Sequence, residues 1–395
     1  MGDVIKDETH LVARTPEAFR KSGIDVRINT RAEKADPAQK TVTLSDGTTI
    51  PYDFLVIGTG ASASLPGIQG IKREGVFTLK SLPDALRMKS YLKDKKCRKA
   101  IIVGAGFIAM EMAEGLRNLG METAIVHRGI LPASRWDKEF AELMLKELDR
   151  NSVSFLVNRQ VTAIEGGKGS SLRLITNQGD VPADMILFAL GVRPNVKFAA
   201  DMGITIGKSG AIEVNAFQVT NIENVYAVGD CCEVFHRIRK DWVNMPLGDI
   251  ANKQGRILGG NIAGGIVSFP GIVGAQTFKL FDLEVAATGI NESEAESCGY
   301  NPVSTIIWGS AIGAVMPGAK KVGIKLVADR ATGKLLGAQA IGEMGAVSRI
   351  NVLSCALWGD MNLDDIANLD LAYTPPFSTV WDVIHIAAQK LRKQI

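Results

Sequence analysis

The stretch Lys99 to Gly120, KAIIVGAGFIAMEMAEGLRNLG, most constrains this chain. An apolar strand, Ala100 to Val103, runs into Gly104-Ala105-Gly106-Phe107-Ile108-Ala109 and then into a helical run ended by Gly120. Each small residue there has a physical use. Gly104 permits a tight turn, Gly106 leaves backbone N–H groups open to a phosphate, and Ala109 lets the helix lie close to the strand. Met121 to Val126 then supplies a second apolar strand, which a crossover helix makes parallel to the first. The order strand, glycine turn, helix, strand predicts an α/β layer whose helix N-terminus binds a dinucleotide pyrophosphate. The plain alternative is a chance glycine turn, which that order disfavours.

The end of the second strand selects the dinucleotide. A site restricted to NAD places Asp or Glu about 20 residues beyond the glycines to bond the ribose hydroxyls. This chain has His127-Arg128 there, with Arg135 close behind. A guanidinium pairs bidentately with a phosphate that a carboxylate would repel, and an imidazole adds a donor. The expected cofactor is NADPH. The other reading, a solvated strand end that admits NADH as well, stays open.

A second signature is TNIENVYAVGD, Thr220 to Asp230. An apolar strand ending in Gly229-Asp230 can aim a carboxylate at a sugar hydroxyl while glycine lets the backbone pass close to the ligand. The plain alternative is a strand stopping at a turn. Leu55 to Ala63 repeats the GxGxxA spacing, but Pro66 and Gly67 follow at once. No helix can form there to meet a phosphate, so the segment reads as a strand entering a crossover loop, as does Ala183 to Asn195.

With 395 residues, 46% hydrophobic, the chain can build two or three cores. A balance of 45 basic against 42 acidic residues argues against nucleic acid or an anionic membrane as partner. No apolar run reaches spanning length, no signal peptide opens the chain, and Lys6 breaks a myristoylation pattern. Five cysteines without a CxxC pair or metal-ligand spacing suggest reduced thiols in the cytoplasm and no metal. Cys231 and Cys232 read as small residues opening a helix after Gly-Asp, Cys298 as a loop residue, and Cys355 as part of an apolar helix face. The lysines around Cys97 predict a lowered thiol pKa.

YDFLVIGTGASASLP, IIVGAGFIAMEMAE, ADMILFALGVRPN and VYAVGD stand in an order that resembles the FAD-dependent pyridine nucleotide disulfide oxidoreductases. LVARTPEAFRKSGIDV, NIAGGIVSFPGIVGAQTFKLFDLEVAATG and LAYTPPFSTVWDV are similar to the coenzyme A disulfide reductase group, which includes NAD(P)H oxidases and coenzyme A dependent sulfur reductases. The resemblance implies an α/β fold with two Rossmann-like domains, for FAD and NAD(P), and an α+β dimerisation domain. The FAD domain is expected at residues 1–80 and 205–272, the NAD(P) domain at 81–204 and the dimerisation domain at 273–395. Local signals agree. Thr15 and Pro16 open a helix, Val322 to Ala328 and Leu335 to Ile341 flank the turn DRATGK as a hairpin, and Ser348 to Trp358 reads as a buried helix.

The same resemblance implies a first βαβ unit of the FAD domain and a redox cysteine ahead of Met1-Gly2-Asp3-Val4-Ile5, both expected to be missing from this chain. No rhodanese-like extension is expected after WDVIHIAAQKLRKQI. The implied reaction passes a hydride from NAD(P)H to FAD and electrons onward to a small disulfide, a coenzyme A-linked group or sulfur. By position, Gly229 and Asp230 would hold FAD, Gly104, Gly106, Ala109, Glu111, His127, Arg128 and Arg135 would hold NAD(P)H, and Thr59, Gly60, Phe107, Ile108, Gly191, Pro246, Leu247 and Asn252 would contact one or other of the two cofactors. Glu111 would orient the nicotinamide carboxamide, the plain alternative being an exposed helix residue that pairs with a neighbour. Tyr373 would reach the flavin of the partner subunit in a homodimer and donate a proton, the plain alternative being an aromatic that packs at the dimer seam. Relatives with a Tyr-Tyr-Pro-Gly stretch differ from Ala314-Val315-Met316-Pro317-Gly318, which disfavours coenzyme A disulfide itself. The remaining alternatives are an NAD(P)H oxidase and a non-catalytic NAD(P)-binding dimer.

Overall fold

The structure is a computed structural model that describes residues 5–166 and 172–395. Met1 to Val4, part of the segment expected to follow the redox cysteine, lie outside the described residues. The middle layer is a five-stranded parallel sheet in the order Val76–Thr78, Met185–Phe188, Lys99–Val103, Glu122–Val126, Val153–Leu156. Leu82–Asp94, Phe107–Asn118 and Lys138–Arg150 are the helices of this layer. The three inner strands are buried over most of their length, as parallel strands covered on both faces must be. Ile101, Ile102, Ile125 and Leu116 are at most 1% exposed, and each such side chain contributes about 2 kcal/mol of burial. Taking in Val76–Thr78, this sheet begins upstream of the boundary expected at residue 81.

The FAD-type portion holds two parallel strands, Leu55–Ile57 and Val225–Ala227, with Val56 opposite Tyr226. The Gly248–Ile262 helix packs against the turn that follows them. Among the described residues, Leu55–Ile57 pairs on one edge only, and Val56 stays 41% exposed beside a groove of about 900 Å³. No helix starts directly after Gly229-Asp230, contrary to the reading of Cys231 and Cys232. A single 3-10 turn, Gly229–Cys231, leads into the hairpin Val234–His236 with Asp241–Val243, and the helix begins only at Gly248. Phe235 and Trp242, with ring centroids 5.7 Å apart across that hairpin, favour strand over helix.

The last portion is a five-stranded antiparallel sheet in the order Gln276–Leu280, Leu283–Gly289, Leu335–Gly342, Lys321–Asp329, Pro302–Ser310. Ala346–Trp358 and Val383–Arg392 pack on it, so this portion is α+β. The expected hairpin and buried helix are both present. Near the start, Thr15 Oγ1 accepts from the Ala18 N–H at 3.3 Å and caps Pro16–Lys21 as expected. Among the described residues, no helix is long and apolar enough to cross a membrane.

Candidate functional site

The glycine turn opens a cavity of about 640 Å³ at the C-terminal end of the parallel sheet. Gly106, His127, Arg128, Ser134, Arg159 and Gly191 line it. Gly104 has φ +114°, and a Cβ there would run into the Ala189 carbonyl oxygen. Its N–H donates to Val126 O at 3.0 Å, which closes the turn. Gly106 differs: a Cβ would meet only open space. It is the N-cap of Phe107–Asn118, and no side chain caps that helix. Its first-turn donors, including those of Phe107 and Ile108, therefore face an anion-sized space with the positive end of the helix dipole behind them. Ala109 is fully buried, as close helix–strand packing requires.

His127 and Arg128 line the cavity. Burial first, then the Arg128 charge, holds the His127 imidazole below its ordinary pKa against an opposing backbone bond at Leu131. At neutral pH it therefore offers a neutral ring N–H. Arg159, which sequence reasoning missed, lines the same cavity.

Arg135 is not brought to the cavity. Its guanidinium turns back to the C-terminal portion, where Nη2 donates to Gly274 O and Gly289 O, both at 2.9 Å. The Gln276 amide, oriented with its oxygen inward, accepts from Nη1 and Nε at 2.7 Å. A buried guanidinium is stable only where its five donors find partners, and these partners are backbone and amide oxygens of another portion of the chain.

The second cluster forms where the two FAD-type strands end. Gly229 has φ +80° and donates its N–H to Gln254 Oε1 at 2.8 Å. The Asp230 carboxylate lies 2.8 Å from Lys80 Nζ, an ion pair joining this cluster to the middle layer. Asn244 Nδ2 donates to Asp230 O at 3.0 Å. Leu247, preceded by Pro246, is the N-cap of Gly248–Ile262 and offers no side-chain cap, and Asn252 is exposed on that helix. A partly buried carboxylate beside an uncapped helix N-terminus fits the sugar-alcohol and ring end of a flavin dinucleotide. The residues around Gly104 and Gly106 likewise fit NAD(P)H.

Thr59 and Gly60 take part in a cross-tie, and Thr59 also lines the groove of about 900 Å³. Thr59 Oγ1 donates to Asn195 O at 2.6 Å, Asn195 Nδ2 returns a bond to Thr59 O at 2.9 Å, and the Asn195 N–H meets Gly60 O at 2.9 Å. This tie joins Leu55–Ile57 to the strand Val192–Pro194 just beyond Gly191, which has φ +83°.

Glu111 is exposed on the Phe107–Asn118 helix. Partial burial of its carboxyl first, then the Glu114 charge, raises its pKa, against a bond from the Lys279 backbone. Its neighbour Glu114 takes the ion pair, with Lys279.

Tyr373 is 50% exposed, and it is the one exposed tyrosine of the five. Its loop is tied to the loop holding Ala314 to Gly318 by Gly313 N–H to Pro375 O at 2.7 Å. Arg349, which sequence reasoning passed over, anchors both loops. It donates to Asp382 through Nε at 3.1 Å and Nη2 at 2.6 Å, and to Ala311 O at 2.8 Å. Asp382 N–H donates to His385 Nδ1, which leaves His385 Nε2 to donate to Leu369 O at 2.9 Å.

Cys97 corrects a second expectation about the cysteines. Cys97 is half-buried, and burial, then Asp184, pushes its thiol up to about 11 in spite of the neighbouring lysines. Cys231 and Cys232 are buried, and burial raises the Cys232 pKa strongly. Cys298 caps the Glu292–Ser297 helix, and Cys355 is exposed on Ala346–Trp358.

Residues 4–255 match the family described as pyridine nucleotide-disulphide oxidoreductase, and residues 275–383 match its dimerisation domain. The chain is 36% identical over 383 residues to an NAD(P)H sulfur oxidoreductase (CoA-dependent) of Pyrococcus abyssi, covering 95% of this chain and 84% of that protein. It is 28% identical over 400 residues to a coenzyme A disulfide reductase of Staphylococcus aureus, covering 99% and 89%. Among solved structures it is similar to an NAD-dependent persulfide reductase from A. fulgidus, with 34% identity and a TM-score of 0.96 over 100% of this chain and 74% of that one.

Proposed function

Because the chain belongs to the pyridine nucleotide-disulphide oxidoreductase family, we propose that it takes reducing equivalents from NADPH and delivers them, through FAD, to a persulfide or polysulfide. By family it is an FAD-dependent NAD(P)H oxidoreductase with a dimerisation domain. When bound, FAD supplies the hydride acceptor and relays the electrons to sulfur.

The chain's own residues bind and orient. The uncapped N-terminus at Gly106 holds the dinucleotide pyrophosphate, Arg128 and His127 receive its adenosine end, and Glu111 orients the carboxamide. Asp230 and the N-terminus at Leu247 hold the flavin, and Lys80 positions Asp230. Tyr373, presented to the partner subunit, donates a proton to the departing thiolate.

The observation that carries the choice of acceptor is the loop pair bridged by Arg349. Tyr373 is its single phenol, because Val315, 92% exposed, occupies the facing loop. One exposed phenol suits a small sulfur acceptor better than a bulky disulfide that needs two. Initial rates of NADPH oxidation with polysulfide, coenzyme A disulfide and oxygen test this. Polysulfide should be turned over fastest, and a higher rate with coenzyme A disulfide overturns the assignment.

A second reading, a non-catalytic NAD(P)-binding dimer, is favoured by the single-edge pairing of Leu55–Ile57. Flavin that stays with the chain through purification excludes it.

A further inference from the structure

We propose that Arg159 is the second guanidinium of a clamp for the adenosine 2′-phosphate, acting opposite Arg128. This rests on the reading of the glycine-turn cavity as the NADPH site.

The parallel sheet makes the two arginines neighbours. Glu122–Val126 and Val153–Leu156 pair with Val126 opposite Leu156, so the segments after them emerge side by side at the end where the glycine turn lies. Three backbone bonds join those segments. His127 N–H donates to Leu156 O at 2.9 Å, Arg159 N–H to His127 O at 2.9 Å, and Asn158 N–H to Gly129 O at 3.3 Å. Arg159 thus stands at a fixed offset from His127 and Arg128, however flexible its own side chain is.

The turn is braced from its far side as well. Asn158 adopts φ +54°, a region where a non-glycine residue is uncommon and Asn among the better tolerated. Its carbonyl accepts from Gln178 Nε2 at 3.0 Å and Asn177 Nδ2 at 3.4 Å, and Gln160 N–H donates to Asn177 Oδ1 at 2.8 Å. Such bracing reduces the ordering needed when a ligand binds.

Charge completes the argument. Arg128 and Arg159 both line the cavity, and no Asp or Glu does. Among the described residues, neither guanidinium meets a carboxylate within ion-pair distance. Two like charges in one concavity repel each other, and a doubly charged phosphate relieves that repulsion while accepting several charge-assisted bonds. A ribose with a free 2′-hydroxyl offers no such relief. Arg159 therefore adds affinity for the phosphorylated dinucleotide specifically.

Calorimetric titration of the full chain with 2′,5′-ADP and with 5′-AMP tests this without turnover. The unaltered chain should bind 2′,5′-ADP more tightly. Arg159→Ala should weaken 2′,5′-ADP by about tenfold and leave 5′-AMP unchanged, with Arg159→Lys intermediate. Unchanged 5′-AMP binding also shows that the variant is folded. Equal weakening of both ligands overturns the inference in favour of stacking on adenine, and no weakening of either overturns it outright. If the unaltered chain fails to prefer 2′,5′-ADP, the NADPH reading falls and the clamp with it.

Discussion

Lys325 Nζ, on a central strand of the C-terminal sheet, lies 2.7 Å from the carboxylate of Asp137, the N-cap of the Lys138–Arg150 helix in the dinucleotide layer. Glu292 joins the same ammonium at 2.6 Å. The contact sits at the end of a staple from Arg135 to Asp137. Arg135 bonds Gly274 and Gly289, Trp136 stacks edge-on with Phe278 at 5.2 Å, and Asp137 N–H donates to Gln339 Oε1 at 2.9 Å. Ala133 N–H donates to Ala105 O at 2.8 Å, so the staple begins at the glycine turn itself.

Lys325 is 4% exposed, and removing its charge strands two carboxylates. Because Asp137 and Glu292 keep some solvent, the cost of Lys325→Met should fall at about 2–3 kcal/mol, the lower side for a broken buried pair. Urea unfolding reads this as a lower midpoint at unchanged slope. The double variant Lys325→Met with Asp137→Asn should recover part of the loss, and strictly additive losses would show that the pair is not coupled.

Acid should destabilise the same junction through His236, which is 1% exposed. Burial first, then the charges of Arg135 and Arg239, lowers its pKa to about 4. Above the ordinary value of 6.5 the ring is neutral whether the chain is folded or unfolded. Below it, the unfolded chain takes up a proton that the folded chain refuses, so stability is lost as pH falls from 6.5 towards about 4, by roughly 3 kcal/mol in all. His236→Gln should flatten that part of a stability-versus-pH curve, and an unchanged slope would place the acid-sensitive group elsewhere.

The two glycines of the turn should separate fold from binding. Gly104→Ala meets both a left-handed φ and the Ala189 carbonyl, so thermal unfolding should shift down strongly. Gly106→Val has room for its side chain, so the fold should persist while the added bulk obstructs the helix N-terminus and NADPH affinity falls. Unimpaired NADPH binding by Gly106→Val would mean the pyrophosphate lies elsewhere.

What could be read from sequence was local. The strand, glycine turn and helix from Lys99 to Gly120, and the hairpin through Lys321 to Gly342, are set by spacing and turn residues a few positions apart. Arg135 was misread because it stands close behind the cofactor-selecting strand end, whereas its partners Gly274 and Gly289 come 139 and 154 positions later. Cys97 failed in the same way. Its lysine neighbours argue for a low thiol pKa, but burial and Asp184 decide the matter. Arg159 belongs to no motif, since only the pairing of two parallel strands carries it to Arg128.

Tyr373→Phe should leave stability and NADPH binding unaltered, because the side chain is half exposed. Turnover of polysulfide should fall by about tenfold or more, the lower part of the range for losing a positioned proton donor. Full activity in this variant would remove Tyr373 from the reaction.

The central claim is hydride delivery to a flavin held at Asp230 from an NADPH whose pyrophosphate is held at Gly106. Its most direct test is anaerobic titration of the FAD-equilibrated full chain with NADPH, followed by flavin absorbance. Stoichiometric bleaching is predicted, with Asp230→Ala failing to retain flavin. Bound NADPH with an unbleached flavin band would contradict the account.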